Sequence, residues 1–147
     1  MKKVEIYTDG ACKGNPGPGG YGVILLYKGV EKELSEGFAE TTNNKMELLA
    51  AIAGLEALKE KCSVVLYSDS KYLIDSVVKG WVYRWQRNGW KKPDGSKALN
   101  VDLWCRLLPL LEAHDVELVW VKGHAGHKYN ERCDYLAVTA AEKAKAQ

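Results

Sequence analysis

Long apolar runs, paired cysteines, internal repeats and low-complexity tracts are all missing from this chain of 147 residues. No apolar stretch approaches the roughly 20 residues that a membrane-spanning helix needs, so no membrane partner is expected. Met1-Lys2-Lys3 resembles the start of a signal peptide, but Glu5, Thr8 and Asp9 interrupt any apolar segment after it. A cytoplasmic location is therefore the expectation. Cys12, Cys62, Cys105 and Cys133 form no C-x-x-C pair and read as free thiols of a reducing compartment. His124, His127 and Cys133 lie close in sequence, yet no fourth soft ligand stands at a familiar spacing, which argues against structural zinc. With no linker, repeat or heptad, one domain over residues 1–147 and a monomer are expected.

What is present is an ordinary globular composition, 46% hydrophobic and 27% charged, in a chain long enough to bury roughly two-thirds of its unfolded surface. The formal net charge of +2 conceals an uneven distribution. Residues 79–97 carry Lys79, Arg84, Arg87, Lys91, Lys92 and Lys97 against Asp94 alone, a local +5, which leaves −3 for the remainder. An island of this kind marks a surface for an anionic partner. It also holds Trp81, Trp85 and Trp90, three of the five tryptophans.

The hydrophobic pattern predicts strands over 4–12, 20–27 and 31–40, joined by connections short enough for antiparallel neighbours. A helical stripe follows over 44–60 (Met46, Leu48, Leu49, Ile52, Leu55, Leu58), then a strand over 63–68 and helical stretches near 70–79 and 81–88. Gly89, Pro93 and Gly95 break that pattern. A helix over about 100–112, a strand over 115–121 and a helix over about 128–144 complete the chain. This order predicts an α/β fold whose mixed sheet carries helices on its faces. The helix at 44–60 lets strand 63–68 lie parallel beside strand 4–9, so Asp9 and Asp69 leave the sheet at one edge.

Four carboxylates stand where elements begin or end: Asp9, Glu47, Asp69 and Asp134. Each alone has a structural explanation. Asp9-Gly10 suits a turn, Asn44-Lys45-Met46-Glu47 fits a capping box, Asp69 or Ser70 suits a helix cap, and Asp134 suits a solvated helix face. Gathered at one edge they would repel one another unless a cation lay between them, and oxygen-only ligation favours a hard ion such as Mg²⁺ or Mn²⁺.

The surrounding residues match a pattern. Tyr7-Thr8-Asp9-Gly10-Ala11-Cys12 leads into Gly14-Asn15-Pro16-Gly17. Thr41-Thr42-Asn43-Asn44-Lys45-Met46-Glu47, Ser68-Asp69-Ser70, and Val121-Lys122-Gly123-His124-Ala125-Gly126-His127 with Asn130-Glu131-Arg132-Cys133-Asp134 follow in order. Together these closely resemble type 1 ribonuclease H of the bacterial kind, over essentially the whole chain. The resemblance implies a ribonuclease H-like fold: a five-stranded mixed sheet, three antiparallel strands then two parallel, flanked by helices and carrying a basic helix-loop protrusion. It implies an endonuclease that hydrolyses the RNA strand of an RNA/DNA hybrid and leaves 5′-phosphate and 3′-hydroxyl ends. Asp9, Glu47, Asp69 and Asp134 would hold two Mg²⁺ ions (Mn²⁺ being the alternative) about 4 Å apart. His124 would assist proton transfer or product departure, for which an intrinsic pKa near 6.5 is suited, and His127 would be structural.

The same resemblance places Asn15, Asn43 and Asn44 against the minor groove, where the 2′-hydroxyl distinguishes RNA from DNA, and Thr42 on a DNA phosphate. Turn and cap chemistry accounts for these residues equally well. Trp81, Arg87, Lys91 and Lys92 fall in the basic protrusion, on the DNA strand. One residue departs from the pattern: Lys71 stands after Asp69-Ser70, where a glutamine is common, and an ammonium cannot accept a hydrogen bond. Two competing readings stay open, a non-catalytic binder of hybrids or double-stranded RNA, and a DNA-cutting enzyme with the same carboxylates.

Overall fold

A computed structural model describes residues 1–145 of the chain. Three long strands open it, β1 (Lys2–Cys12), β2 (Gly17–Tyr27) and β3 (Val30–Thr41), followed by helix α1 (Asn43–Glu56). Strand β4 (Cys62–Ser68), helices α2 (Lys71–Val78), α3 (Trp81–Arg87) and α4 (Val101–Ala113), strand β5 (Asp115–Trp120) and helix α5 (Lys128–Lys145) complete the order. One five-stranded sheet runs β3-β2-β1-β4-β5, antiparallel across β3, β2 and β1 and parallel from β1 through β4 to β5. This is the predicted mixed sheet. Among the described residues no helix is long and apolar enough to cross a membrane.

Period-two alternation assigns the two faces. Along β2, Tyr21, Val23 and Leu25 join the main core with Leu48, Ile52 and Leu55 of α1 and Trp104 and Leu107 of α4. Gly20, Gly22 and Ile24 turn to the other face, where α5 brings Cys133, Ala137 and Ala140 against the sheet. The Cys133 thiol is wholly buried there and donates to the Tyr7 carbonyl at 3.3 Å. At the sheet's outer edge, Arg132 of α5 makes a bidentate pair with Glu33 of β3 (2.7 and 3.0 Å), and the Tyr129 hydroxyl donates to Glu31 at 3.1 Å.

Two boundaries differ most from expectation. Helix α1 ends at Glu56, although its apolar stripe continues to Leu58. The chain tightens there, with the Leu58 N–H donating to Leu55 rather than continuing the α-helical pattern. Strand β2 begins inside the glycine-proline cluster, because Gly19 and Gly20 still pair with Cys12 and Ala11 and with Phe38 and Gly37. Intrinsic propensity disfavours glycine in strands, and the ladder on both sides overrides it.

Candidate active site

Asp9 and Asp69 reach the same edge by parallel pairing. Tyr7 is in register with Tyr67, and the Thr8 hydroxyl donates to the Tyr67 carbonyl at 2.9 Å, tying the ends of β1 and β4 together. Asp69 then follows the last residue of β4. Helix α1 comes down beside Asp9 because Gly10 has no side chain: a Cβ there would stand 2.8 Å from the Glu47 backbone nitrogen. Gly123 has a similar role for the segment after β5, since a Cβ at that position would meet Asp69 Oδ2 at 2.7 Å.

Ligand oxygens of Asp9, Glu47 and Asp69 therefore lie within 4.8 Å of one another. Asp9 and Glu47 are 4% and 3% exposed, so these charges meet away from water. Burial, then the charges of Asp69 and Asp134, pushes Asp9 up to about 8. Glu47 is held well above the usual carboxylate range by burial first and by Asp9 and Asp69 next. The Gly10 N–H donates to Asp9 Oδ1 at 2.9 Å and only partly offsets this.

Two buried oxygens, Glu47 Oε1 and Asp69 Oδ1, have no hydrogen-bond partner among the described residues. Buried polar atoms left bare in this way are rare and costly. A hard divalent cation would satisfy both and cancel the mutual repulsion, so the donor set fits such an ion. The capping explanations fall to other residues. Thr42, not Asn44, caps α1 by accepting from the Lys45 N–H at 3.2 Å, which leaves Glu47 a turn further on and facing the cluster. Ser70, not Asp69, caps α2 by accepting from Leu73 at 3.1 Å.

The cluster floors a cleft of about 410 Å³ lined also by Asn43, Asn44, Lys71, Tyr72, His124 and Asp134. Asp134, half-buried on α5, lies at the rim, outside the three converging carboxylates but close enough to raise Asp9. His124 is exposed and holds a left-handed φ of 56°, a strained conformation for a residue with a side chain. His127 leans on the Tyr7 ring at 5.4 Å and does not line the cleft. Asn15 reaches the site indirectly, its Oδ1 accepting the Asn43 N–H at 3.1 Å.

The basic island is separate from the cleft lining. Trp85 is buried in the core and Trp90 packs against it, anchoring α3 and the loop that follows. Trp81 is 36% exposed and, with Arg84, Trp85 and Lys92, lines a groove of about 330 Å³. Lys79 lies over the Trp81 ring at 5.4 Å and Lys92 over Trp85 at 6.0 Å, while Arg87 and Lys91 are exposed.

Two residues at the site went unread in the sequence. Trp120, at the end of β5, donates its indole N–H to the Asp69 carbonyl at 3.1 Å. Tyr72 lines the cleft while its hydroxyl accepts from Asn100 at 3.2 Å and Trp104 at 3.0 Å. An aromatic residue at a strand's end beside Val121-Lys122-Gly123-His124 was the only available signal for Trp120.

Comparison with known proteins agrees with this geometry. The family model described as RNase H matches residues 1–142. The chain is 62% identical over 143 residues to a ribonuclease H of Desulforamulus reducens, covering 97% of this chain and 90% of that protein. It is 64% identical over 144 residues to a ribonuclease H of Syntrophus aciditrophicus, covering 98% and 83%. Among solved structures, LC9-RNase H1, described as a type 1 RNase H with the type 2 active-site motif, superimposes with a TM-score of 0.87 at 36% identity, over 98% of this chain and 74% of that one. LC11-RNase H1 in complex with an RNA/DNA hybrid matches with a TM-score of 0.71 at 25% identity, over 96% and 98%. With a carboxylate cluster at the shared edge of β1 and β4 and matches of this extent, the chain belongs to the ribonuclease H family, type 1.

Proposed function

We propose that this chain, as a single catalytic domain, cuts the RNA strand of RNA/DNA hybrids endonucleolytically and leaves 5′-phosphate and 3′-hydroxyl ends. The observation that carries the reading is the convergence of Asp9, Glu47 and Asp69 with two bare buried oxygens, in a member of the ribonuclease H family. These three residues would hold divalent ions, with Asp134 closing the site from the rim. Two Mg²⁺ ions, or Mn²⁺ in their place, would supply positive charge at the scissile phosphate and make water a better nucleophile. A phosphodiester already carries negative charge, so the acids alone would raise the barrier they are needed to lower.

The remaining work falls to the chain's own side chains. His124, exposed beside the cluster, takes or returns a proton at an imidazole nitrogen as the leaving oxygen departs. Asn43 and Asn44 line the cleft and offer both donors and acceptors to a 2′-hydroxyl, with Asn15 fixing Asn43. Thr42 caps α1 and presents the start of that helix to a DNA phosphate. Trp81, Arg87, Lys91 and Lys92 hold the DNA strand by contacts that do not depend on base sequence.

The test is direct. Labelled RNA/DNA hybrid, double-stranded RNA and double-stranded DNA are each incubated with and without Mg²⁺, alongside Asp69→Asn. Metal-dependent cutting of the hybrid's RNA strand alone, lost in Asp69→Asn, is the expected result. Cutting of duplex DNA would favour the DNA-processing reading, and undiminished activity in Asp69→Asn would remove the mechanism.

A further inference from the structure

Among the described residues that line the cleft, Lys71 alone carries a permanent positive charge. It stands at the first position of α2, two residues after Asp69, and is exposed. Local structure does not explain it, since a cation in the first turn opposes the helix dipole. Nor does it neutralise the acids. Three carboxylates converge nearby, yet among the described residues no ion pair includes Lys71. Its ammonium lies instead 5.0 Å from the centre of the Trp120 ring.

Trp120 is itself fixed. Its indole N–H donates to the Asp69 carbonyl, which orients the ring face that carries the ammonium. Asp69 thus sets, through its own backbone, where Lys71 waits. A cation in the lining of the carboxylate cleft that makes no ion pair there is available to an incoming anion. The ammonium has three donors and no acceptor, so a 2′-hydroxyl gains from it only as an acceptor, whereas a phosphate gains its full charge.

We propose that Lys71 grips a backbone phosphate of the hybrid next to the scissile one, with Trp120 as the residue that positions it. The proposal rests on the hybrid-cleaving reading for the identity of the ligand, and it adds one electrostatic contact inside the cleft to those of the basic island. Trp120 acts through Lys71, so losing the ring and losing the ammonium remove the same contact.

The experiment measures fluorescence anisotropy of a labelled hybrid in EDTA between 50 and 200 mM salt, for wild type, Lys71→Gln, Lys71→Arg, Trp120→Leu and the double variant Lys71→Gln/Trp120→Leu. Steady-state cleavage in Mg²⁺ runs in parallel. Lys71→Gln is expected to bind about 5–10-fold more weakly, with the log–log salt slope about 0.9 shallower, and to keep kcat within about twofold. Lys71→Arg retains affinity and slope. Trp120→Leu loses part of the affinity, and its effect overlaps with that of Lys71→Gln in the double variant. Wild-type affinity and slope in Lys71→Gln would overturn the proposal, as would a loss confined to kcat. Strict additivity in the double variant would overturn the positioning role of Trp120. If the wild type binds the hybrid without cutting it, the cleavage reading fails, and the anisotropy arm still judges Lys71.

Discussion

The carboxylate cleft and the basic segment 79–97 gather charge of opposite sign by opposite means. In the cleft, Asp9 and Glu47 are buried and forced together by secondary structure, and Glu47 Oε1 and Asp69 Oδ1 find no hydrogen-bond partner among the described residues. In the segment, Arg84, Arg87, Lys91 and Lys97 stay in water, and Lys79 and Lys92 lie over tryptophan faces. The first arrangement is unfavourable until something binds. The second is stable unbound and depends on many weak contacts. A site built on frustration is sensitive to a single atom, whereas a site built on exposure is sensitive to total charge and to salt.

The largest predicted effect is at the cleft. Asp9→Asn is expected to reduce hybrid cleavage by about 10³-fold or more, because a carboxylate proposed to hold the metal is lost with its charge. The same substitution relieves repulsion, so the melting temperature in EDTA is expected to rise by roughly 5 °C. Calorimetry with activity assays on one preparation checks both, and a variant that loses activity and stability together would break the contrast. Next comes the island. Arg87→Ala with Lys91→Ala and Lys92→Ala is expected to weaken hybrid binding about 10–100-fold and to flatten the salt slope by up to about 2.7, with unchanged melting. Binding titrations at several salt concentrations report this, and a change in melting without a change in slope would make the segment structural.

A smaller effect concerns pH. Asp9 is raised to about 8 from an ordinary value near 4, and Glu47 is raised as well. Between those limits the folded protein holds more protons than the unfolded chain, so stability falls as pH rises. In EDTA the melting temperature is therefore expected to drop by several degrees from pH 5 to pH 8, and to drop less in Asp9→Asn. Mg²⁺ should raise melting more at pH 8 than at pH 5, since ligation requires the deprotonated acids. A flat or rising profile in EDTA would contradict the strained cluster. The smallest effect is at Thr42. Replacing it with alanine is expected to cost about 1 kcal/mol of stability, read in denaturant melts, by removing the α1 cap.

Strand ends and their acids were legible in the sequence because they are local. Val4 to Thr8 and Val64 to Ser68 are apolar runs with a carboxylate immediately after, and the helix between them forces parallel pairing. The end of α1 was not legible, because Leu58 continues the periodicity after the backbone has turned. Glu47 was ambiguous for a similar reason. Its spacing from Asn44 suits a capping box, and only the identity of Thr42 as the cap shows that Glu47 faces the cluster. The meeting of Lys71 with Trp120 depends on β4 and β5 lying side by side, with Ser68 in register with Trp120, which no window of sequence contains.

The clamp of Arg132 and Tyr129 on Glu33 and Glu31 has a consequence beyond holding α5. Strand β3 is 12 residues long and forms the free margin of the sheet next to β2. A strand of that length with one edge free is a template for a second chain. Glu31, Lys32, Glu33, Glu36 and Glu40 set charge along it, and two of those acids are already engaged by α5. A neighbouring strand would have to desolvate these groups and displace the clamp before pairing. The contacts that seat the last helix thus also raise the cost of adding a strand at this margin.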